Sequence, residues 1–284
     1  MQGKIHFLNT KNSDCMILES QGHLAMVDAG EDNDYPADKP YLNMKGYEEE
    51  VVAYLLDHFR GEDGKVHLDF VLATHCHSDH IGGFDTVINH PDIVVDKGYV
   101  KPYHPEDIFV YERVRWDNLE VYNQMLDAMK ANGVERIERF DEAETDLGDF
   151  HIQFLNGAYK KRFLKFGENI NSVGTLLTIG NTKVFLAGDI NNKDGEEWRL
   201  APKIDKVDLL KVGHHGYVFS SSYRFIKTLH PDIAVVCNSN YRIYPDVRAK
   251  LKWVAKADLY TTADNNGVLA EFDGKKIKIT TGIM

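Results

Sequence analysis

The sequence predicts an α/β protein in two strand-rich halves, and three observations carry that prediction. Each half opens with short apolar stretches of strand length separated by turns. Each then passes into strand signals alternating with helical ones, the pattern of layered α/β architecture. Several of the strands also run straight into turns rich in His or Asp. A length of 284 residues admits either one large unit or two domains, and the reading adopted is a single domain over 1–284.

The first half begins with strand signals at Lys4 to Leu8, Cys15 to Glu19 and His23 to Val27, the last ending at Asp28-Ala29-Gly30. Residues 31–46 are polar, with Asp, Tyr and Pro, and read as a surface loop. From Glu48 to Phe59, the spacing of Val51, Val52, Leu55, Leu56 and Phe59 puts them on one helical face, and Gly61-Glu62-Asp63-Gly64 stops the helix. A strand from His67 to Ala73 leads into Thr74-His75-Cys76-His77-Ser78-Asp79-His80, and Ile81-Gly82-Gly83-Phe84 opens another helix. Residues 97–140 mix Tyr99, Tyr103, Tyr111, Trp116 and Tyr122 with charges, contain a helix from about Trp116 to Asn132, and read as an insertion covering a site.

The second half repeats the plan. Strands are expected at His151 to Leu155, Val173 to Ile179 and Lys183 to Leu186, the last running into Ala187-Gly188-Asp189. Strand, helix and strand then alternate through Asp208 to Val212, Phe219 to Leu229, Ile233 to Cys237 and Val247 to Ala255. Strands near Leu259, at Val268 to Phe272 and at Lys276 to Thr280 close the chain.

Composition narrows the function. With 43% hydrophobic and 27% charged residues the chain is globular, which excludes fibrous and disordered roles. A net charge of −11 repels phosphate backbones, so general nucleic-acid binding is disfavoured. No run approaches the roughly 20 apolar residues of a membrane helix, and Met1-Gln2-Gly3-Lys4-Ile5 does not start a signal peptide. The expectation is a cytoplasmic protein as the chain stands, exported if a leader was removed. Cys15, Cys76 and Cys237 are too few and too scattered for a disulfide framework.

The chemistry lies in the turns. His75, His77, Asp79 and His80 place four metal-ligating groups within six residues, directly after a strand. Imidazole and carboxylate suit Zn²⁺, with Mn²⁺ or Fe also accommodated. Alternate residues of an extended loop point the same way, so His75 and His77 can grip one ion while Asp79 and His80 face a second. Asp189 ends a strand where a carboxylate can bridge two cations, and His214-His215-Gly216 offers imidazole from the opposite side. Asp28 ends a fourth such strand.

These motifs, taken in order (Val27-Asp28-Ala29-Gly30, the HxHxDH run from His75 to His80, Gly188-Asp189 and His214-His215-Gly216), resemble the metallo-β-lactamase-fold hydrolases over nearly the whole chain. The resemblance implies a four-layer αββα sandwich with a binuclear site on one edge. Where many members place a further histidine, this chain reads Asn169-Ile170-Asn171-Ser172-Val173-Gly174. The implied first site is then His75, His77 and Asp189, and the second Asp79, His80, Asp189 and His214. Asp28 is expected to orient a ligand histidine through its other ring nitrogen.

The Asn-x-Asn-Ser stretch is similar to two subgroups: the catalytic module of pneumococcal-type teichoic-acid phosphorylcholine esterases, and the hydrolase domain of competence-type DNA-uptake proteins. The first resemblance is the closer, through Lys4-Ile5-His6-Phe7, Ile17-Leu18-Glu19-Ser20, His23 to Asp32 and Trp116-Asp117-Asn118-Leu119. It implies metal-dependent cleavage of a small or polymer-linked phosphodiester by a hydroxide shared between two cations. In that scheme Asp79 and His215 act in catalysis, His215 by donating to a phosphoryl oxygen or protonating the leaving group. Asn171 and Ser172 are candidate substrate contacts. Trp116, Tyr111, Tyr103 and Tyr35 are candidates for an aromatic cage around a quaternary ammonium. A nuclease, a lactonase or thioesterase, and a metal-binding module without catalysis are the competing readings.

Overall fold

A computed structural model describes residues 1–161 and 165–284. Two sheets face each other. In chain order, the first half supplies β1 (Gly3–Phe7), β2 (Cys15–Ser20), β3 (His23–Ala29), α1 (Glu48–Phe59), β4 (Val66–Ala73), α2 (Ser78–Ile81), α3 (Phe84–Asn89) and β5 (Ile93–Val100). Then come α4 (Val110–Arg115), α5 (Asn118–Ala131), β6 (Glu135–Ile137), β7 (Glu144–Leu147) and β8 (Phe150–Leu155). The second half continues with β9 (Gly174–Ile179), β10 (Thr182–Leu186), α6 (Glu196–Ile204), β11 (Leu209–Lys211), α7 (Tyr223–Leu229), β12 (Ile233–Val236), α8 (Pro245–Lys250), β13 (Asp258–Thr261), β14 (Val268–Phe272) and β15 (Ile277–Thr281).

The first sheet has the order β15-β14-β1-β2-β3-β4-β5-β6 and the second β13-β12-β11-β10-β9-β8-β7. Both are mixed. Antiparallel hairpins join β1 to β2 and β2 to β3, whereas β3, β4, β5 and β6 run parallel. In the second sheet β9 and β10 form a hairpin, and β10 to β13 run parallel. Parallel strands need crossovers, which α3, α5 and α7 provide between the strands they separate.

Because most strands are covered on both faces, their residues are apolar throughout rather than alternating. Along β2, Met16 and Leu18 face the second sheet while Cys15 and Ile17 face the helices. The inter-sheet core gathers Ile5, Phe7, Phe70, Phe150, Phe154 and Phe272. Val51 and Leu55 of α1, Phe84 of α3 and Met125 of α5 cover the outer face of the first sheet, and Leu200, Phe225 and Val247 cover that of the second. The result is the four-layer αββα sandwich. Among the described residues no helix is long and apolar enough to cross a membrane.

The stretch 97–140 is not one insertion. Its ends are strands of the first sheet, β5 pairing with β4 and β6 with β5, and α5 is the crossover between them. Only the segment from about Lys101 to Asp117 overhangs the strand ends. Aromatics among charges suggest an insertion covering a site, but Tyr99 and Tyr122 are buried parts of the two cores.

Candidate metal centre

The carboxyl ends of β3, β4, β10 and β11 meet at one edge, where the two sheets touch. Thr74 O accepts from Val173 N (2.9 Å), which ties the two halves together, and Gly188 O accepts from His214 N (3.2 Å), which joins the turns after β10 and β11. At the end of β3, Asp28 takes a positive φ of 55°, and both its oxygens point at the turn after β4. It accepts from Thr74 N and Thr74 Oγ1, both at 2.8 Å, and from His80 Nδ1 at 2.7 Å.

Each of four histidines is tied through one ring nitrogen, which leaves the other directed at the centre. His75 Nδ1 is bonded to Thr74 Oγ1 (3.1 Å), His77 Nε2 donates to Glu112 Oε1 (2.9 Å), and His215 Nδ1 donates to Cys237 O (3.2 Å). Asp28 holds His80 in the same way. The remaining nitrogens converge in two pairs: His75 Nε2 lies 3.0 Å from His77 Nδ1, and His80 Nε2 lies 3.2 Å from His215 Nε2. Two nitrogens bound to one tetrahedral ion at about 2.0–2.1 Å stand roughly 3.3 Å apart, so both pairs have ligand spacing.

Asp189 joins the pairs. Its Oδ1 is 3.2 Å from His80 Nε2 and 3.5 Å from His215 Nε2, is buried, and makes no hydrogen bond among the described residues. The same carboxylate belongs to the group His75, His77, Asp189 and to the group Asp14, His80, Asp189, His215. Ser172 Oγ accepts from Asp189 N (3.1 Å), and Asn169 Nδ2 donates to Asp189 Oδ2 (3.2 Å). Asp79 Oδ2 lies 3.2 Å from His215 Nε2 and its Oδ1 4.0 Å from His80 Nε2; with 26% of its side chain exposed, it marks the open side. Paired imidazole lone pairs, a buried carboxylate oxygen without a donor, and a carboxylate, hydroxyl or carbonyl behind each ring are the donor set of a binuclear site. The residues present fit two divalent cations.

Electrostatics agree. Burial, then the neighbouring charges of His80 and His77, hold His75 well below the usual histidine range, so it presents a neutral ring. Burial alone would raise Asp189, but His215 and His80 outweigh it and keep the carboxyl well below its ordinary range. For His80 the order reverses: burial lowers it, while Asp189, Asp28, Asp14 and Asp79 together drive it well up. Asp189 and Asp79 thus place negative charge where cations would sit, while Asp28, raised by burial, and Asp14 stand behind the rings.

The histidine expected as a ligand from the second half was His214; the geometry brings His215 instead. Both residues sit at positive φ, 52° and 47°, and this double left-handed turn sends His215 inward. His214 donates Nδ1 to Val218 O (3.1 Å) and stays partly exposed, outside both groups. Asn171 donates to Glu168 Oε2 (2.8 Å), and Ser172 braces Asp189, so both are occupied within the fold. Tyr103 packs in the core against Tyr122. Trp116 stands edge-on to the His77 ring, centroids 4.7 Å apart, and Tyr111 and Tyr35 are exposed.

Three participants escaped sequence reasoning. Asp14, just before β2, faces His215 Nδ1 at 3.3 Å and His80 Nδ1 at 3.7 Å, the nitrogens turned away from the centre, and bonds the buried Lys211. Lys211 Nζ also donates to Gly188 O (2.9 Å). Burial would raise Asp14, but Lys211, His215 and His80 hold it well below its usual range. Glu112 of α4 accepts from His77, from Asn118 Nδ2 (3.1 Å) and from Glu168 N (2.9 Å). No local sequence signal marks any of them; the topology alone brings them in.

Fold and donor set together define an α/β protein with two buried His/Asp clusters, fit for a binuclear metal centre, at a sheet edge. The chain belongs to the metallo-beta-lactamase superfamily, whose family profile matches residues 8–239. It is similar to the ComE operon protein 3 of Bacillus subtilis, 28% identical over 174 residues, 60% of this chain and 20% of that protein. The chain therefore spans about a fifth of that relative's length. Among solved structures, the metallo-beta-lactamase fold protein YhfI of Bacillus subtilis aligns with a TM-score of 0.56 at 14% identity, covering 96% of this chain and all (100%) of that one. Zn(2+)-bound PqqB of Methylobacterium extorquens aligns with a TM-score of 0.55 at 11% identity, over 92% and 97% of the two chains. At such identities these likenesses speak to the fold.

Proposed function

We propose that this protein is a metal-dependent phosphodiesterase acting on a small or polymer-linked ester, with phosphorylcholine esters as the substrate class. The observation that carries the reading is Asp189, one buried carboxylate shared by two groups of ligands. His75, His77 and Asp189 would hold one cation; Asp79, His80, His215 and Asp189 would hold the other. Two such cations, most simply Zn²⁺, supply Lewis acidity and a water of lowered pKa when bound.

The chain's own residues do the rest. Asp28 and Glu112 keep the His80 and His77 rings in the tautomer and orientation needed for binding. Asp14 and Lys211 fix His215 from behind. His215, expected as proton donor to the leaving alkoxide, serves as a ligand in this arrangement; His214, outside the ligand groups, is held neutral by burial with its Nδ1–H on Val218 O, which leaves Nε2 to accept a hydrogen bond from substrate. Trp116, over His77 and 40% exposed, is the aromatic surface best placed to meet a quaternary ammonium at the open side.

The test combines metal content per chain with hydrolysis of nitrophenyl phosphorylcholine, bis-nitrophenyl phosphate and a nitrophenyl carboxylic ester. Nearly two metals and a preference for the phosphorylcholine ester support the proposal. Preference for the carboxylic ester would replace it with a lactonase or thioesterase. Tight metal binding without turnover of any substrate would leave a binding module.

A nuclease is the second reading, favoured by the resemblance to DNA-uptake hydrolase domains and consistent with the match to the ComE operon protein. The net charge of −11 weighs against it. Cleavage of single-stranded DNA that falls steeply with added salt would favour it.

A further inference from the structure

A second concentration of carboxylates lies apart from the His/Asp centre and shares no residue with it. The loop of residues 31–47, between β3 and α1, lies against the start of α5. Lys39 Nζ donates to Trp116 O (2.7 Å) and pairs with Glu120 Oε1 (3.2 Å), and Tyr41 OH donates to Arg115 O (2.9 Å). Between loop and helix is a cavity of about 360 Å³ lined by Asp32, Asp34, Tyr35, Asp117, Glu120 and Gln124 among others.

Asp32 is the anomaly. It is 4% exposed, lines this cavity, and its carboxylate has no hydrogen bond or ion pair among the described residues. A buried carboxylate without a donor or counter-charge costs several kcal/mol by general estimates, and folded proteins avoid it unless an ion takes the donor's place. The neighbours make matters worse. Burial, then Asp117, Glu48, Asp34 and Asp85, push its carboxyl up to about 8. Asp117 is itself only 3% exposed. Glu48 is occupied, accepting from Asn33 N (3.1 Å) and Thr86 Oγ1 (3.2 Å).

Nor can the Asp32 backbone shift to relieve this. Its backbone is clasped between two glycines: a Cβ on Gly82 would lie 2.6 Å from Asp32 N, and one on Gly46 2.3 Å from its carbonyl carbon. The fold holds an unpaired carboxylate rigidly at the wall of a cavity, opposite others.

We propose that this cavity binds a hard divalent cation of the calcium class, held by the carboxylates of Asp32 and Asp117, with Asp34 and the Gln124 oxygen among the remaining oxygen donors. The lining offers oxygen ligands and no imidazole or thiolate, which selects for Ca²⁺ over the metals of the His/Asp centre. Bound there, the ion fastens the 31–47 loop to the start of α5. It thereby steadies Trp116, whose carbonyl that loop already holds and whose ring covers His77.

The experiment titrates CaCl2 into the full chain with its His/Asp centre saturated by zinc, following calorimetry and the thermal midpoint. One Ca²⁺ per chain with a saturable rise of about 2–5 °C is expected. Asp32→Asn abolishes that rise and leaves zinc content unchanged; in calcium-free buffer at pH 9, where the Asp32 carboxyl is ionised, it melts above the wild type, because a repelling charge is gone. Asp117→Asn weakens calcium binding at least tenfold and carries the test if Asp32→Asn does not fold. No calcium binding by the wild type, or undiminished binding by a folded variant, overturns the proposal. So does stabilisation by tetramethylammonium chloride in place of calcium.

Discussion

His214 and His215 are neighbours in sequence with different fates, and the difference can be measured. His80→Ala and His215→Ala should each remove one metal per chain and abolish turnover. His214→Ala should keep both metals and lower turnover, and His90→Ala should change neither; elemental analysis beside a rate assay separates the three outcomes. A His214→Ala protein with one metal would return the ligand role to that residue. Glu112→Gln tests the tie behind His77: metal affinity should fall about 10–100-fold, read by competition with a chromogenic chelator. Much of this site was legible because the HxHxDH run is contiguous, and Asp28, Asp189 and the paired histidines all end strands. The choice between His214 and His215 was not legible, since it depends on two consecutive positive φ values. Asp14 and Glu112 reach the centre from ordinary-looking stretches, Ser13-Asp14-Cys15 and Tyr111-Glu112-Arg113, which the sequence gives no reason to bring near His75.

At the scale of elements, apolar spacing located α1 and most strands to within a residue or two. Elements that went unread include β5, α4, β6, β7 and α6, the last two for plain physical reasons. The strand β7 is Glu-Thr-Asp-Leu at a sheet edge, where half-exposed positions need no apolar run. Helix α6 carries Pro202 inside its last turn, a residue that ordinarily ends helices. That helix also supplies a pH-dependent contact. Glu197 accepts from Ser221 N and Ser222 N (2.7 Å), yet burial pushes its carboxyl up to about 7. With the folded value raised above the usual 4.5, the native state holds the extra proton between those values, so stability falls as pH rises from about 4.5 to 7. The loss amounts to roughly 3 kcal/mol at most. Urea unfolding at pH 5 and pH 8 should show it, and Glu197→Gln should flatten the difference; an equal slope in the variant would assign the pH dependence elsewhere.

At the scale of the molecule, one packed layer joins the halves. Phe154 is fully buried in the inter-sheet core against Phe70, Tyr99 and Phe140. Phe154→Ala should cost about 3–5 kcal/mol in denaturant unfolding while leaving the ligand geometry, and so metal stoichiometry, intact. The layer order followed from the resemblance. What neither residues nor resemblance disclosed was the division of 97–140 into strand, overhang and crossover helix, because its aromatic residues looked exposed until the sheets covered them.

The pairing of β1 with β14, Gly3 opposite Phe272, has a consequence for how the chain is made. A ribosome releases β1, β2 and β3 early, but the neighbour that completes β1 follows every strand of the second sheet. Until then the nascent first sheet carries an open, apolar edge, and the turn holding His75 to His80 lacks Asp189 and His215 from the other half. The native sheet order therefore cannot close before β14 has been made, and any cation the early histidines capture before Asp189 is made is held without the carboxylate that would later share it.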